Sequence, residues 1–116
     1  MELEKFKERI EEIRRIVEKI EELAKSVKAK KVEVRTSIPS LDVNFFIVIR
    51  DEDITKKQGI VIDIDFDKKT MIFKAYGLRF SYFNELKYDP EKIVSIGVKY
   101  GEKFENDDGK KIKVEG

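Results

Sequence analysis

The chain has 116 residues, 42% of them charged, a net charge of +1, and neither cysteine nor histidine. Without cysteine there are no disulfides, thiolate nucleophiles or cysteine-based metal sites, and without histidine the commonest metal ligand and general base is gone. Only carboxylate, Lys, Tyr or hydroxyl chemistry is left, so a non-enzymatic protein without a cofactor is expected. The balanced charge is also unlike the clearly basic surface of a general nucleic-acid binder.

A hydrophobic fraction of 41% at this length supplies one core, so a single domain over 1–116 is expected. It divides into a helix over 1–30 and a β sheet over 31–116. No apolar run approaches the ~20 residues of a membrane span. The start, Met1-Glu2-Leu3-Glu4-Lys5, lacks the basic-then-apolar order of a signal peptide. No membrane association and a cytoplasmic location are therefore expected. The Lys/Glu-rich, Cys-free composition matches hyperthermophile proteins, and it also matches a de novo designed α+β protein with no natural function. The low alanine content, adjacent Phe45-Phe46 and irregular loops favour the natural thermostable protein.

Residues 2 to about 28 carry the clearest pattern. Leu3, Phe6, Ile10, Ile13, Val17, Ile20, Ala24 and Val27 alternate steps of three and four, an unbroken heptad. Glu2 and Glu4 at its start and Lys25, Lys28, Lys30 and Lys31 at its end suit the helix dipole. Ile16 and Leu23 add a third apolar column, wider than a two-stranded coiled-coil seam needs. The helix spans about 40 Å against about 25–30 Å for a domain of this size, so an overhang is expected. The helix thus serves its own sheet first. Secondly it serves self-association or a protein partner, through Ile10, Ile13, Ile16, Val17, Ile20 and Leu23.

From Lys31 the period changes to two. Val32 and Val34 begin a short strand that breaks at Ser37-Ile38-Pro39-Ser40. Val43 to Arg50 is apolar on both faces and reads as a central strand, and 51–58 reads as a polar connection. Gly59 to Phe66 sets Ile60, Ile62, Ile64 and Phe66 on one face and Val61, Asp63 and Asp65 on the other. A turn at Asp67-Lys68-Lys69 leads to Thr70–Tyr76, then a break at Gly77 and a strand over Leu78–Phe83. Residues 84–92 read as a loop, in which Asp89-Pro90-Glu91 carries an N-cap followed by proline and predicts one helical turn. Ile93–Tyr100 alternates at Val94, Ile96, Val98 and Tyr100 and predicts a strand. A turn at Asn106-Asp107-Asp108-Gly109 precedes a last strand around Ile112 and Val114.

These short links require antiparallel neighbours. The predicted fold is α+β: a long N-terminal heptad helix packed on a curved antiparallel β meander, or a partly open small barrel, of six to seven strands. Gly59-Ile60-Val61-Ile62-Asp63-Ile64-Asp65 resembles the strand that enters a tight turn in small SH3-like or Sm-like barrels.

Asp63, Asp65 and Asp67 are the candidate metal ligands, being carboxylates at alternate positions of one strand. Against that reading, no calcium-loop continuation follows and Lys68 and Lys69 supply counter-charges. With Glu33 and a lysine they would also suit a nuclease, but no completing helix is read after the strands. A nucleic-acid-binding small β-barrel is the alternative function, with Lys74, Arg79 and Tyr82 as its contacts. The leading expectation is an interaction or oligomerisation module working through the heptad helix and an exposed sheet face or edge.

Overall fold

The computed structural model describes residues 2–37, 42–53 and 56–106. In chain order they form helix α1 (Leu3–Ser26), strands β1 (Lys31–Thr36), β2 (Val43–Asp53), β3 (Lys56–Asp65), β4 (Thr70–Tyr76) and β5 (Ser81–Lys87), a 3₁₀ turn (Pro90–Lys92) and helix α2 (Ile93–Asn106). The strands make one open antiparallel sheet in the order β1-β2-β3-β4-β5. The α+β class and the long N-terminal helix are those indicated by the periodicity. Among the described residues the sheet has five strands, with β1 and β5 at its two edges, and of the six to seven expected the one over 93–100 is not a strand.

The largest correction concerns Ile93–Tyr100, which is helix. Its buried positions are Ile93, Gly97, Gly101 and Phe104, spaced four, four and three, the stripe of a helix lying on a core. The apolar residues between them produce the misleading alternation. The helical turn expected at Asp89 is real: the Asp89 carboxylate accepts the Glu91 N–H at 3.0 Å, with Pro90 in the first turn. It runs on into α2. The 51–58 connection is shorter than expected, because β2 reaches Asp53 and β3 begins at Lys56. Residues 84–87 belong to β5 instead of a loop. The expected strand around Ile112 and Val114 lies outside the described residues, as does most of the turn before it.

Both helices cover the same face of the sheet. Val43, Phe45 and Ile47 of β2, Ile60, Ile62 and Ile64 of β3, and Met71, Phe73 and Ala75 of β4 point into that layer, each no more than 3% exposed. From α1 they meet Ile16, Ile20 and Leu23, at most 2% exposed, whose burial stabilises the fold by roughly 1.5–3 kcal/mol each. Ile16 and Leu23, the column outside the strict heptad, are thus among the most buried residues of the helix. A helix on a sheet needs a broad stripe, which the heptad seam alone would not fill.

The end of α1 is a Schellman turn. The Ala29 N–H donates to the Ala24 carbonyl at 2.9 Å and the Lys28 N–H to the Lys25 carbonyl at 3.2 Å, while Lys28 takes a left-handed φ of 56°. The turn aims the chain down to β1, where the Lys30 N–H reaches the Val48 carbonyl at 2.8 Å.

Helix α2 comes nearest to β3 and sends its rings over β4 and β5. The Tyr100 ring sits 5.9 Å from Phe73 and 6.0 Å from Tyr82, and the Phe104 ring 4.8 Å from Phe80. Against α1 it presents a notch made by two glycines one turn apart. A Cβ on Gly97 would lie 2.3 Å from a Leu23 methyl, and one on Gly101 would lie 2.5 Å from a Val27 methyl. At the other end of α2, Arg50 donates to the Phe104 carbonyl at 2.5 Å and to Gln58 Oε1 at 3.1 Å. It neutralises the negative end of the helix. Arg50 reaches that side because the β2–β3 ladder shifts register between Val48 and Arg50, and such an irregularity re-aims side chains.

Candidate interaction surface

Helix α1 is fastened along one flank and bare along the other. At its fourth turn Arg15 and Lys19 reach Glu91 at 2.7 and 3.2 Å. Earlier, Glu12 accepts the Tyr88 hydroxyl at 2.8 Å. Arg9 lies 4.6 Å over the Phe66 ring and 3.7 Å from Asp67, in the β3–β4 turn that ends the sheet. Residues before Arg9 therefore run past the end of the sheet, which is the expected overhang.

On the opposite flank, at 100° per residue, lie Leu3, Phe6, Ile10 and Val17. Leu3 is 68%, Phe6 41% and Ile10 46% exposed, whereas Ile13 and Val17 are half-buried. Since α1 lies nearest β2 and α2 nearest β3, with the Pro90–Lys92 turn that leads into α2 on the Arg15–Lys19 side, this bare flank faces the β1 side. There the helix-side residue Val34 is 57% exposed. Of the six residues expected at a partner interface, then, Ile16, Ile20 and Leu23 serve the domain's own core, Ile13 and Val17 are shared, and Ile10 is open. Leu3 and Phe6, members of the same heptad, belong with it.

The clamp has a pH signature. Burial pushes the Tyr88 phenol well above its ordinary value, and its hydrogen bond to the Glu12 carboxylate pushes the same way. The Glu91 carboxyl is held below its ordinary value by hydrogen bonds from Arg15 and then Lys19. A raised folded value means that the Tyr88 contribution is complete below about pH 10 and is lost as pH climbs beyond it, where only the unfolded phenol ionises. The Glu91 contribution is present above about pH 4.5 and fades as pH falls. Tyr88→Phe is expected to lower stability by about 1 kcal/mol at neutral pH and to flatten the loss of melting temperature between pH 10 and 11.5. An unchanged alkaline slope would refute the Tyr88–Glu12 contact.

The sheet face away from the helices carries the row Glu33–Phe46–Val61–Lys74–Phe83 across all five strands. Beside it runs the row Arg35–Asn44–Asp63–Ile72–Glu85. Opposite charges pair within this face: Lys57 with Glu33 at 2.5 Å and Lys74 with Asp63 at 3.5 Å. The Lys57 bond, then burial opposing it, sets the Glu33 carboxyl below its ordinary value.

The three aspartates each have a local task. Asp63 accepts the Asn44 amide and pairs with Lys74. Asp65 accepts the N–H groups of Asp67 and Lys68 at 3.0 Å and shapes the turn. Asp67 faces Arg9. Among the described residues no three carboxylates converge. Lys74, Arg79 and Tyr82 are not brought together either. Lys74 is on the open face, 6.0 Å from the Phe83 ring. Tyr82 is on the helix face between Phe80 and Tyr100, with the Lys103 ammonium 5.0 Å from its ring. Arg79 lies in the β4–β5 connection.

The site is thus a two-layer α+β surface defined by a bare helix flank and an adjacent sheet edge. Among the described residues no helix is long and apolar enough to cross a membrane. Comparison with family models, with curated proteins and with solved structures finds no match to this chain.

Proposed function

We propose that this protein is a non-enzymatic interaction module that self-associates through the β1-side flank of α1. The observation that carries the reading is the open apolar row of Leu3, Phe6 and Ile10 on a helix whose opposite flank is pinned by Glu91, Tyr88 and Asp67. Exposing three large apolar residues on one flank costs solubility unless something covers them. A second copy related by a two-fold axis supplies the same apolar flank without any other component. The nucleic-acid alternative has less support, because Lys74 is already paired and Tyr82 lies on the other face.

The expected result is a concentration-dependent dimer in size-exclusion chromatography with light scattering. Ile10→Glu should weaken it by about tenfold or more while leaving the helical circular dichroism unchanged, because Ile10 contributes little to the core. A strict monomer at ~100 μM, or a dimer indifferent to Ile10→Glu, would overturn the reading.

A further inference from the structure

The outer edge of β1, unpaired among the described residues, lies beside this flank. The Ser37 N–H donates across the ladder to the Asp42 carbonyl at 3.1 Å, and Thr36 pairs with Val43. In an antiparallel ladder, hydrogen-bonded and non-hydrogen-bonded pairs alternate. Arg35, Glu33 and Lys31 therefore spend their backbone groups on β2, whereas Val32, Val34 and Thr36 direct theirs to the outer edge.

Edge strands are usually guarded by an inward charge, a proline or a bulge. Among Lys31–Thr36 there is no proline, the β1–β2 register runs without a shift, and the helix-side residues are Val32, Val34 and Thr36. The side chains on the open face read Lys31, Glu33, Arg35. Arg35 is exposed and makes no ion pair or hydrogen bond among the described residues.

We infer that β1 pairs antiparallel with β1 of a second copy, with Val34 opposite Val34 on the two-fold axis, so that two five-stranded sheets join into one. This rests on the self-association proposed above and names its second element.

Charge selects the register. With edge-directed groups at 32, 34 and 36, three antiparallel registers bring those groups together near the strand centre. Centring on Glu33 sets Glu33 against its own copy, and centring on Arg35 sets Arg35 against its own copy. Like charges directly opposite are destabilising. Centring on Val34 instead places Glu33 opposite Arg35 twice, and gives Arg35 the acidic partner that none of the described residues of its own chain provides. The same register covers the exposed Val34 with its copy and sets Val32 against Thr36.

It also agrees with the helix. Val34 shares its row with Phe45 and Ile62, four residues and so about 13 Å from Phe66. Counted at 1.5 Å per residue from Arg9, that is near the level of Val17 on α1. A two-fold axis at Val34 therefore turns the Ile10–Val17 flank of one copy toward the same flank of the other.

The test is a charge swap on the full chain, read by light scattering and analytical ultracentrifugation. Glu33→Arg and Arg35→Glu should each weaken the dimer by about tenfold or more. The double variant should restore it, and an equimolar mixture of the two single variants should form a heterodimer. Val34→Pro, which removes an N–H unused among the described residues, should abolish pairing while the fold persists by circular dichroism. Glu85→Lys on the opposite edge should have no effect. A dimer sensitive to Ile10→Glu but indifferent to the swaps would sink the edge pairing and leave the proposed function standing. Sensitivity to Glu85→Lys would move the interface to β5 and overturn the inference. A strict monomer would remove both.

Discussion

Gly97→Val is expected to destabilise the fold by roughly 3 kcal/mol, more than any other single added side chain on α2. Even a lone Cβ at this position would stand 2.3 and 2.6 Å from the two Leu23 methyls. Leu23 is fully buried, wedged between its helix and the sheet, so it has little room to yield. Overpacking of this kind typically costs 1–3 kcal/mol, and a branched side chain lies at the upper end. For Gly97→Ala the penalty is partly offset by about 1 kcal/mol of helix propensity, leaving a net loss of about 1 kcal/mol. Urea or thermal unfolding measures both. The decisive comparison is a double-mutant cycle with Leu23→Ala, in which shortening the wedge should recover part of the Gly97→Ala loss. If Gly97→Ala instead raises stability, as at an exposed helical glycine, α2 does not dock on Leu23 as described.

The second large effect separates two adjacent phenylalanines. Phe45→Ala is expected to cost about 3–5 kcal/mol, because the ring is 1% exposed within the helix-covered layer. Phe46→Ala should cost about 1 kcal/mol, since that ring is half-buried on the open face between Glu33 and Val61. A one-residue slip of β2 would exchange the two outcomes, because alternate side chains point to opposite faces. Equal losses at the two positions would contradict the register.

Much of this architecture can be read from residue spacing. The heptad from Leu3 to Val27 identifies α1, and the extra apolar column of Ile16 and Leu23 already indicates a sheet-packing helix. The alternation of Ile60, Ile62 and Ile64 with Val61, Asp63 and Asp65 assigns β3 and both its faces correctly, because one face is buried and the other is wet. The run Val43–Ile49 leaves the faces of β2 open, since apolar residues occur on both. Only pairing with β1 and β3 separates Phe45 from Phe46.

Ile93–Tyr100 misleads for a definite reason. Its buried positions include Gly97 and Gly101, which carry no side chain to register as apolar, while Val94, Ile96 and Val98 are only half-buried. A helical stripe drawn partly in glycine is invisible to a hydrophobic pattern, although two glycines four residues apart after an Asp-Pro cap hint at a close helix crossing. The candidate surface was legible in part for a similar reason. The heptad names the helix residues of the proposed surface, but which of them stay exposed is set by the sheet's length and by the clamps at Arg9, Tyr88 and Glu91.

By itself, then, the sequence determined the α+β class, the extent of α1, both faces of β3 and the exclusion of cysteine and histidine chemistry. These follow from residue identity and from local periods of 3.6 and 2. Only the tertiary structure decided that the described strands form an open sheet and that α2 is a helix seated on glycines. It alone left Ile10 and the edge of Val34 bare on the same side. Those outcomes depend on which surfaces meet across long sequence separations, and no local pattern records that.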